Sequence, residues 1–203
     1  MNSQDQPAPQ GLINMAALLP KSRVNGPGLR AVVWVQGCPR RCPGCFNQDM
    51  QAFRDNQLVT AGELAGRILA VQDITGVTFS GGEPFAQAAT LAALASELQR
   101  HGLNIVVFTG YTYSELTAGA NADWNRLLAV TDLLIAGPFE QERPSRQYLL
   151  GSDNQELLFL TDRLRGHADI AGQAGQLLEI TVAADGSVVV TGLGGNVLKP
   201  AKI

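Results

Sequence analysis

The chain has three cysteines, Cys38, Cys42 and Cys45, and all of them lie in one loop within "VVWVQGCPRRCPGCFNQ". Their spacing is Cys-x3-Cys-x2-Cys, on a stretch bent by Pro39, Pro43 and Gly44. Thiolates hold iron–sulfur clusters, and a 4Fe–4S cluster ordinarily takes four cysteines, one for each iron. Three ligands leave one iron open, and an open coordination position marks a catalytic rather than a structural metal site. Two other readings stay open. "CPGC" is a Cys-x-x-Cys that could serve as a dithiol redox motif or in an iron–sulfur electron-transfer protein. The dithiol reading wants a helix N-terminus to lower a thiol pKa, which the prolines oppose, and it leaves Cys38 idle. A structural zinc needs a fourth ligand, and His101 and His167 sit at apparent helix ends without metal spacing.

The elements that must position these residues are legible in outline. "AVVWVQG" is an apolar, β-branched run, the signature of a buried strand. "TAGELAGRILAVQ" is a helix, with Thr60 and Glu63 at capping-box spacing. "GVTFSGGEP" is a strand running into a glycine-rich turn, and "AQAATLAALASELQRHG" is a helix stopped by Gly102. "NIVVFTG" is a third strand, followed by short helices in "YSELTA" and "NADWNRLLAV". "DLLIAGP" reads as a fourth strand and "ELLFLT" as a fifth. Strands alternating with helices predict an α/β fold on a parallel sheet with crossover helices. On that frame Cys38, "SGGEP", "TGYT" and "GPF" each follow a strand. They gather at the sheet edge where parallel α/β folds bind ligands.

A hydrophobic content of 45% over 203 residues suits one domain with a sizeable core. The net charge of −3 comes with no basic stripe, so no nucleic-acid partner is expected. No apolar run approaches the roughly 18 residues that span a bilayer, so no membrane is expected. The polar, proline-rich start lacks the layout of a signal peptide, which points to a cytoplasmic protein with reduced thiols. Residues 1–11 read as a disordered lead-in, 12–160 as the core domain, and 161–203 as an extension with a helix and a β-hairpin. "LLEITVAADGSVVVTGL" carries that hairpin, turning at Asp185–Gly186. Leu178, Ile180 and Val182 alternate with Glu179 and Thr181, which predicts one buried face. Such a hairpin either covers a sheet edge, or walls the substrate entrance or docks a partner.

Cys38-x3-Cys42-x2-Cys45 followed by "SGGEP" resembles the radical S-adenosylmethionine superfamily. "VNGPGLR", "FTGYTYSEL", "LLIAGPF" and "GSDNQ" follow in the order seen in activating proteins of anaerobic ribonucleotide reductase, relatives of the pyruvate formate-lyase activating enzymes. The resemblance covers about residues 12 to 160. It implies a partial (β/α)6 barrel, here with a short C-terminal β-hairpin beyond the family pattern. It also implies a 4Fe–4S cluster whose open iron chelates S-adenosylmethionine, and reductive cleavage to a 5′-deoxyadenosyl radical. The substrate would be a glycine of a glycyl-radical enzyme, or else another peptide or a small molecule, with a flavodoxin- or ferredoxin-type electron donor. Cys38, Cys42 and Cys45 would hold the cluster. Gly81, Gly82 and Glu83 would receive the methionyl amine. Thr109 and Gly110 would lie near the ribose and carboxylate, and Gly44 and Phe46 would touch the adenine. Phe46 could instead be plain core. Arg40 and Arg41 read as solvated loop charges or as a dock for an acidic partner.

Overall fold

A computed structural model describes Pro9 and residues 11–170, 173–182, 186 and 188–192. The lead-in expected over residues 1–11 falls almost wholly outside them. The chain opens with β1 (Leu12–Ser22), β2 (Arg30–Val35) and β3 (Gln57–Thr60), then α1 (Ala61–Leu69) and β4 (Gly76–Gly81). It continues through α2 (Ala88–Arg100), β5 (Asn104–Thr109), α3 (Tyr113–Ala118), α4 (Ala122–Ala129), β6 (Leu133–Ala136) and β7 (Glu156–Phe159). A 3-10 stretch at Asp162–Ile170 precedes β8 (Leu178–Val182) and β9 (Val188–Gly192).

β1 to β7 form one sheet in the order β3-β1-β2-β4-β5-β6-β7. Its centre, β2-β4-β5-β6, is parallel, and β1, β3 and β7 pair antiparallel. The sheet is therefore parallel-rich, as the alternation predicts, with four parallel strands among the described residues instead of six.

Strand alternation divides the sheet into two faces. Ala31, Val33, Val35, Val77, Phe79, Ile105 and Val107 pack with Leu64, Ile68, Leu91, Leu94 and Leu98 of α1 and α2. The helices start where their sequences say: Thr60 and Glu63 form a capping box at α1, and Thr112 and Glu115 form another at α3. The opposite face is left to loops. Val106, Leu133 and Ile135 pack there under Tyr148, Leu149 and Leu150, while Val32 and Trp34 pack beside Leu19 of the adjacent β1 and against Met50 of the ligand loop.

The hairpin departs from expectation. β8 and β9 pair only with each other, forming a separate two-stranded sheet that covers neither edge. Nor is one face buried: Ile180 is 53% and Val182 67% exposed. Burial instead grades along the length. At the base Glu179 Oε2 accepts a 2.6 Å hydrogen bond from Ser22 Oγ, and Thr191 Oγ1 accepts one from Asn25 Nδ2 at 3.0 Å. The hairpin thus stands on the turn after β1 by its polar base. Of the expected Asp185–Gly186 turn only Gly186 is among the described residues. No helix among the described residues is long and apolar enough to cross a membrane.

Candidate active site

The ligand loop leaves β2 at Gln36 and is pinned before its first cysteine. Gly37 N donates to Met50 O at 2.8 Å and Cys38 N to Gln51 O at 2.9 Å. Gln36 Nε2 donates to Ala52 O at 2.6 Å. Buried Gln87 ties the base of this loop to β1: its Nε2 donates to Gln36 O and Asn14 O, and its Oε1 accepts from Asn14 N. The backbone groups of a loop beside a sheet edge must be paired somewhere, and Gln36, Gln87 and Asn14 do this.

The turn after β4 lies against the ligand loop. Gly82 N donates to Val35 O at 2.7 Å, and Glu83 N to Gly37 O at 2.8 Å. Gly81 has φ of +98°, and a Cβ there would sit 2.7 Å from Val35 N. Glycine is required at both positions for close approach.

Glu83 is only 1% exposed. Its Oε1 accepts from Phe85 N at 2.9 Å and Thr109 Oγ1 at 2.8 Å, and its Oε2 from Gly110 N at 2.8 Å. The carboxylate therefore staples the β4 turn to the end of β5, with one lone pair of Oε2 left over. Burial outweighs these donors and nearby Arg40, raising its pKa from 4.5 to about 7. Glu83 holds its proton more tightly folded than unfolded. Its contribution to stability is fully present below 4.5 and is lost as the pH rises through about 7. Metal-free protein is expected to lose about 2–3 kcal/mol between pH 5 and pH 8 relative to Glu83→Gln. Urea unfolding at the two pH values measures the difference, and parallel pH profiles would refute the burial argument.

One cleft of about 440 Å³ joins these parts. Cys38, Cys42, Cys45, Phe46, Gly81, Gly82, Glu83, Thr109 and Gly110 all line it. That volume lies within the ~300–1,000 Å³ range of small-ligand sites. Gly44 is placed elsewhere: its φ is +69° and it turns the loop against the Gln141 side chain, outside the lining. Phe46 is no core residue. It is 56% exposed, with its ring 4.9 Å from that of Phe139 at the cleft mouth. Arg40 is half-buried, lines the cleft and pairs with Glu115, its Nη1 2.9 Å from Glu115 Oε1. Leu178, Val190 and Thr191 of the hairpin line the far side. No local signal in the sequence marks that contact, which depends on how the hairpin base seats.

Three thiols on one loop are the donor set of an iron–sulfur cluster. Among the described residues no three His, Cys, Asp or Glu side chains converge closely enough for one metal ion. Thiolates on separate corners of a four-iron cube stand wider apart than the ligands of one zinc. Asn47 N donates to Cys45 Sγ at 3.4 Å. Burial, then Glu83, raises the Cys38 thiol pKa, and a bound cation would reverse that.

The 4Fe-4S single cluster domain family matches residues 24–158, which include every cleft-lining residue named above except the hairpin's. The anaerobic ribonucleoside-triphosphate reductase-activating protein of Enterobacteria phage T4 is 32% identical over 162 residues, covering 76% of this chain and 99% of that protein. Its counterpart in Vibrio cholerae serotype O1 is 34% identical over 155 residues, covering 70% and 96%. The pyruvate formate-lyase-activating enzyme of Streptococcus mutans serotype c is 31% identical over 154 residues, covering 73% of this chain and 58% of the enzyme. The chain belongs to the 4Fe-4S single cluster domain family and to the radical S-adenosylmethionine activase group. Membership implies a 4Fe–4S cluster and S-adenosylmethionine as cofactors.

Proposed function

We propose that this chain activates a glycyl-radical enzyme of the anaerobic ribonucleotide reductase type by abstracting hydrogen from a glycine of that partner. The observation that carries the reading is the convergence of Cys38, Cys42, Cys45 and the Gly81–Gly82 turn on one cleft of about 440 Å³. The near full-length match to two reductase-activating proteins supports the choice of partner. When bound, the cluster and S-adenosylmethionine supply one-electron cleavage of the sulfonium to a 5′-deoxyadenosyl radical. The protein's task is binding, orientation and exclusion of water. Cys38, Cys42 and Cys45 would hold the cluster. The Gly81–Gly82 backbone and the spare lone pair of Glu83 would receive the methionyl amine. Thr109 and Gly110 would lie near the ribose, and Phe46 with Phe139 would screen the adenine side from solvent.

The sheet is read as a shortened (β/α)6 barrel, whose open side is closed by residues 138–155 and the hairpin. Residues 12–160 form the core domain and 161–203 its extension. A flavodoxin- or ferredoxin-type donor in a reducing cytoplasm would supply the electron. Reconstituted protein reduced with dithionite is expected to convert S-adenosylmethionine to 5′-deoxyadenosine and methionine. With the partner present, a glycyl-radical signal should appear in the electron paramagnetic resonance spectrum. The hairpin begins beyond the family match and lines the cleft, which favours a second reading, action on another peptide or small molecule. Cleavage without any glycyl radical on the partner would select that reading, and no cleavage would sink both.

A further inference from the structure

We propose that Arg40 is a positioning residue, a clamp that fixes the Cys38–Cys42 segment onto α3 and the end of β5 before any metal arrives. The proposal rests on the reading of this loop as the cluster site. Arg40 lies between two of the three cysteines, on a loop with no regular structure of its own. Its Nη1 is 2.9 Å from Glu115 Oε1, and its guanidinium lies 5.0 Å from the centre of the Tyr111 ring. Its stem passes over Gly110, where an added Cβ would come 3.0 Å from Arg40 Cγ.

Both partners are themselves held. Glu115 Oε2 is engaged in the α3 capping box, accepting from Thr112 N at 2.7 Å and Thr112 Oγ1 at 3.0 Å, which aims Oε1 at Arg40. The Tyr111 ring stands 4.7 Å from that of Trp124, and Trp124 Nε1 donates to Phe85 O at 2.9 Å. Phe85 N and Gly110 N in turn donate to Glu83. Most surface ion pairs contribute little because two mobile side chains must be ordered to form them. Here Glu115 and Tyr111 are ordered already, so the entropy lost on pairing is that of Arg40 alone. A planar guanidinium can stack on Tyr111 and point an N–H at Glu115 together, which a lysine ammonium does not reproduce. The clamp thus ties the cysteine loop to the same wall that carries Glu83 and the β5 terminus.

The test uses Arg40→Gln, Glu115→Gln and the double variant of the full chain. Glutamine at position 115 keeps the capping box, because Gln serves there as Glu does, and removes only the charge. Amide hydrogen exchange in residues 38–45 of metal-free protein is expected to speed up about three- to tenfold in each single variant. The double variant should be no faster than the faster single, since the two side chains act as one unit. Iron loss from reconstituted protein to a chelator should follow the same order. Unchanged loop exchange in Arg40→Gln, or additive effects in the double variant, would overturn the clamp. If the parent chain binds no iron, the cluster reading fails, and the exchange comparison still decides the clamp.

Discussion

Anaerobic reconstitution is expected to load about four irons per chain, and Cys38→Ala, Cys42→Ala and Cys45→Ala are each expected to abolish that loading. The effect should be near total because, among the described residues, the site has no reserve ligand. These are the chain's only cysteines. His101 points at Glu97 on the far end of α2, 3.2 Å away, and His167 lies in the 3-10 stretch after β7. Glu83, the carboxylate in the cleft, is committed to Phe85, Thr109 and Gly110. Turning it outward would break three hydrogen bonds at once and leave their donors unpaired in a buried place. With one thiol gone, two corners of the cube lack protein ligands instead of one. Iron analysis and the charge-transfer absorption measure the outcome. A full complement of iron in any of the three variants would overturn the three-thiol assignment.

What the sequence made legible, and what it hid, follows from how local each signal is. The parallel centre and its helices could be read because apolar runs, capping boxes and glycine stops act over a few residues. β1 was hidden: "LINMAALLPKS" is rich in helix formers, and its register shifts between Met15 and Ala17 and again between Leu19 and Ser22. Such bulges break the two-residue alternation by which a half-buried strand is recognised. Pro20 also argues against a strand between two others. β3, however, covers β1 only from Leu12 to Met15, so Pro20 lies beyond that pairing. In the site, cysteine spacing and the glycine turn are local patterns and could be placed on one sheet edge. The inward fold of Glu83 and the capture of Arg40 by Glu115 join residues 26 to 75 positions apart. No spacing rule reaches across such separations. The hairpin's pattern suggested a buried face, yet its base is held by Ser22 and Asn25, which no alternation of β8 could reveal.

Gly82→Ala is expected to damage the site more than any other single-methyl change. The added Cβ would land on the carbonyl oxygen of Gly37, with Gly37 C at 2.8 Å and Gly37 N at 2.9 Å. These are backbone atoms and cannot rotate aside. Gly37 is held by Met50 O on one side and by Glu83 N on the other. The methyl must therefore push Cys38 out of place or lift the β4 turn off the ligand loop. Overpacking of this kind costs about 1–3 kcal/mol, and each backbone hydrogen bond lost adds about 1 kcal/mol. A core of this size should survive that, so the protein is expected to fold while the site loses its geometry. S-adenosylmethionine binding to reconstituted protein should weaken at least about tenfold, the ratio that ~1.4 kcal/mol produces. Gly62→Ala serves as the contrast. Gly62 lies in α1 with nothing within 4 Å of its added Cβ, so alanine there should raise stability by up to about 1 kcal/mol and leave binding alone. Titration calorimetry on the two variants separates close approach from a general intolerance of glycine replacement. Parent-like affinity in Gly82→Ala would mean that the β4 turn yields to a methyl, and that contact between this turn and the cysteine loop does not set the cofactor's seat.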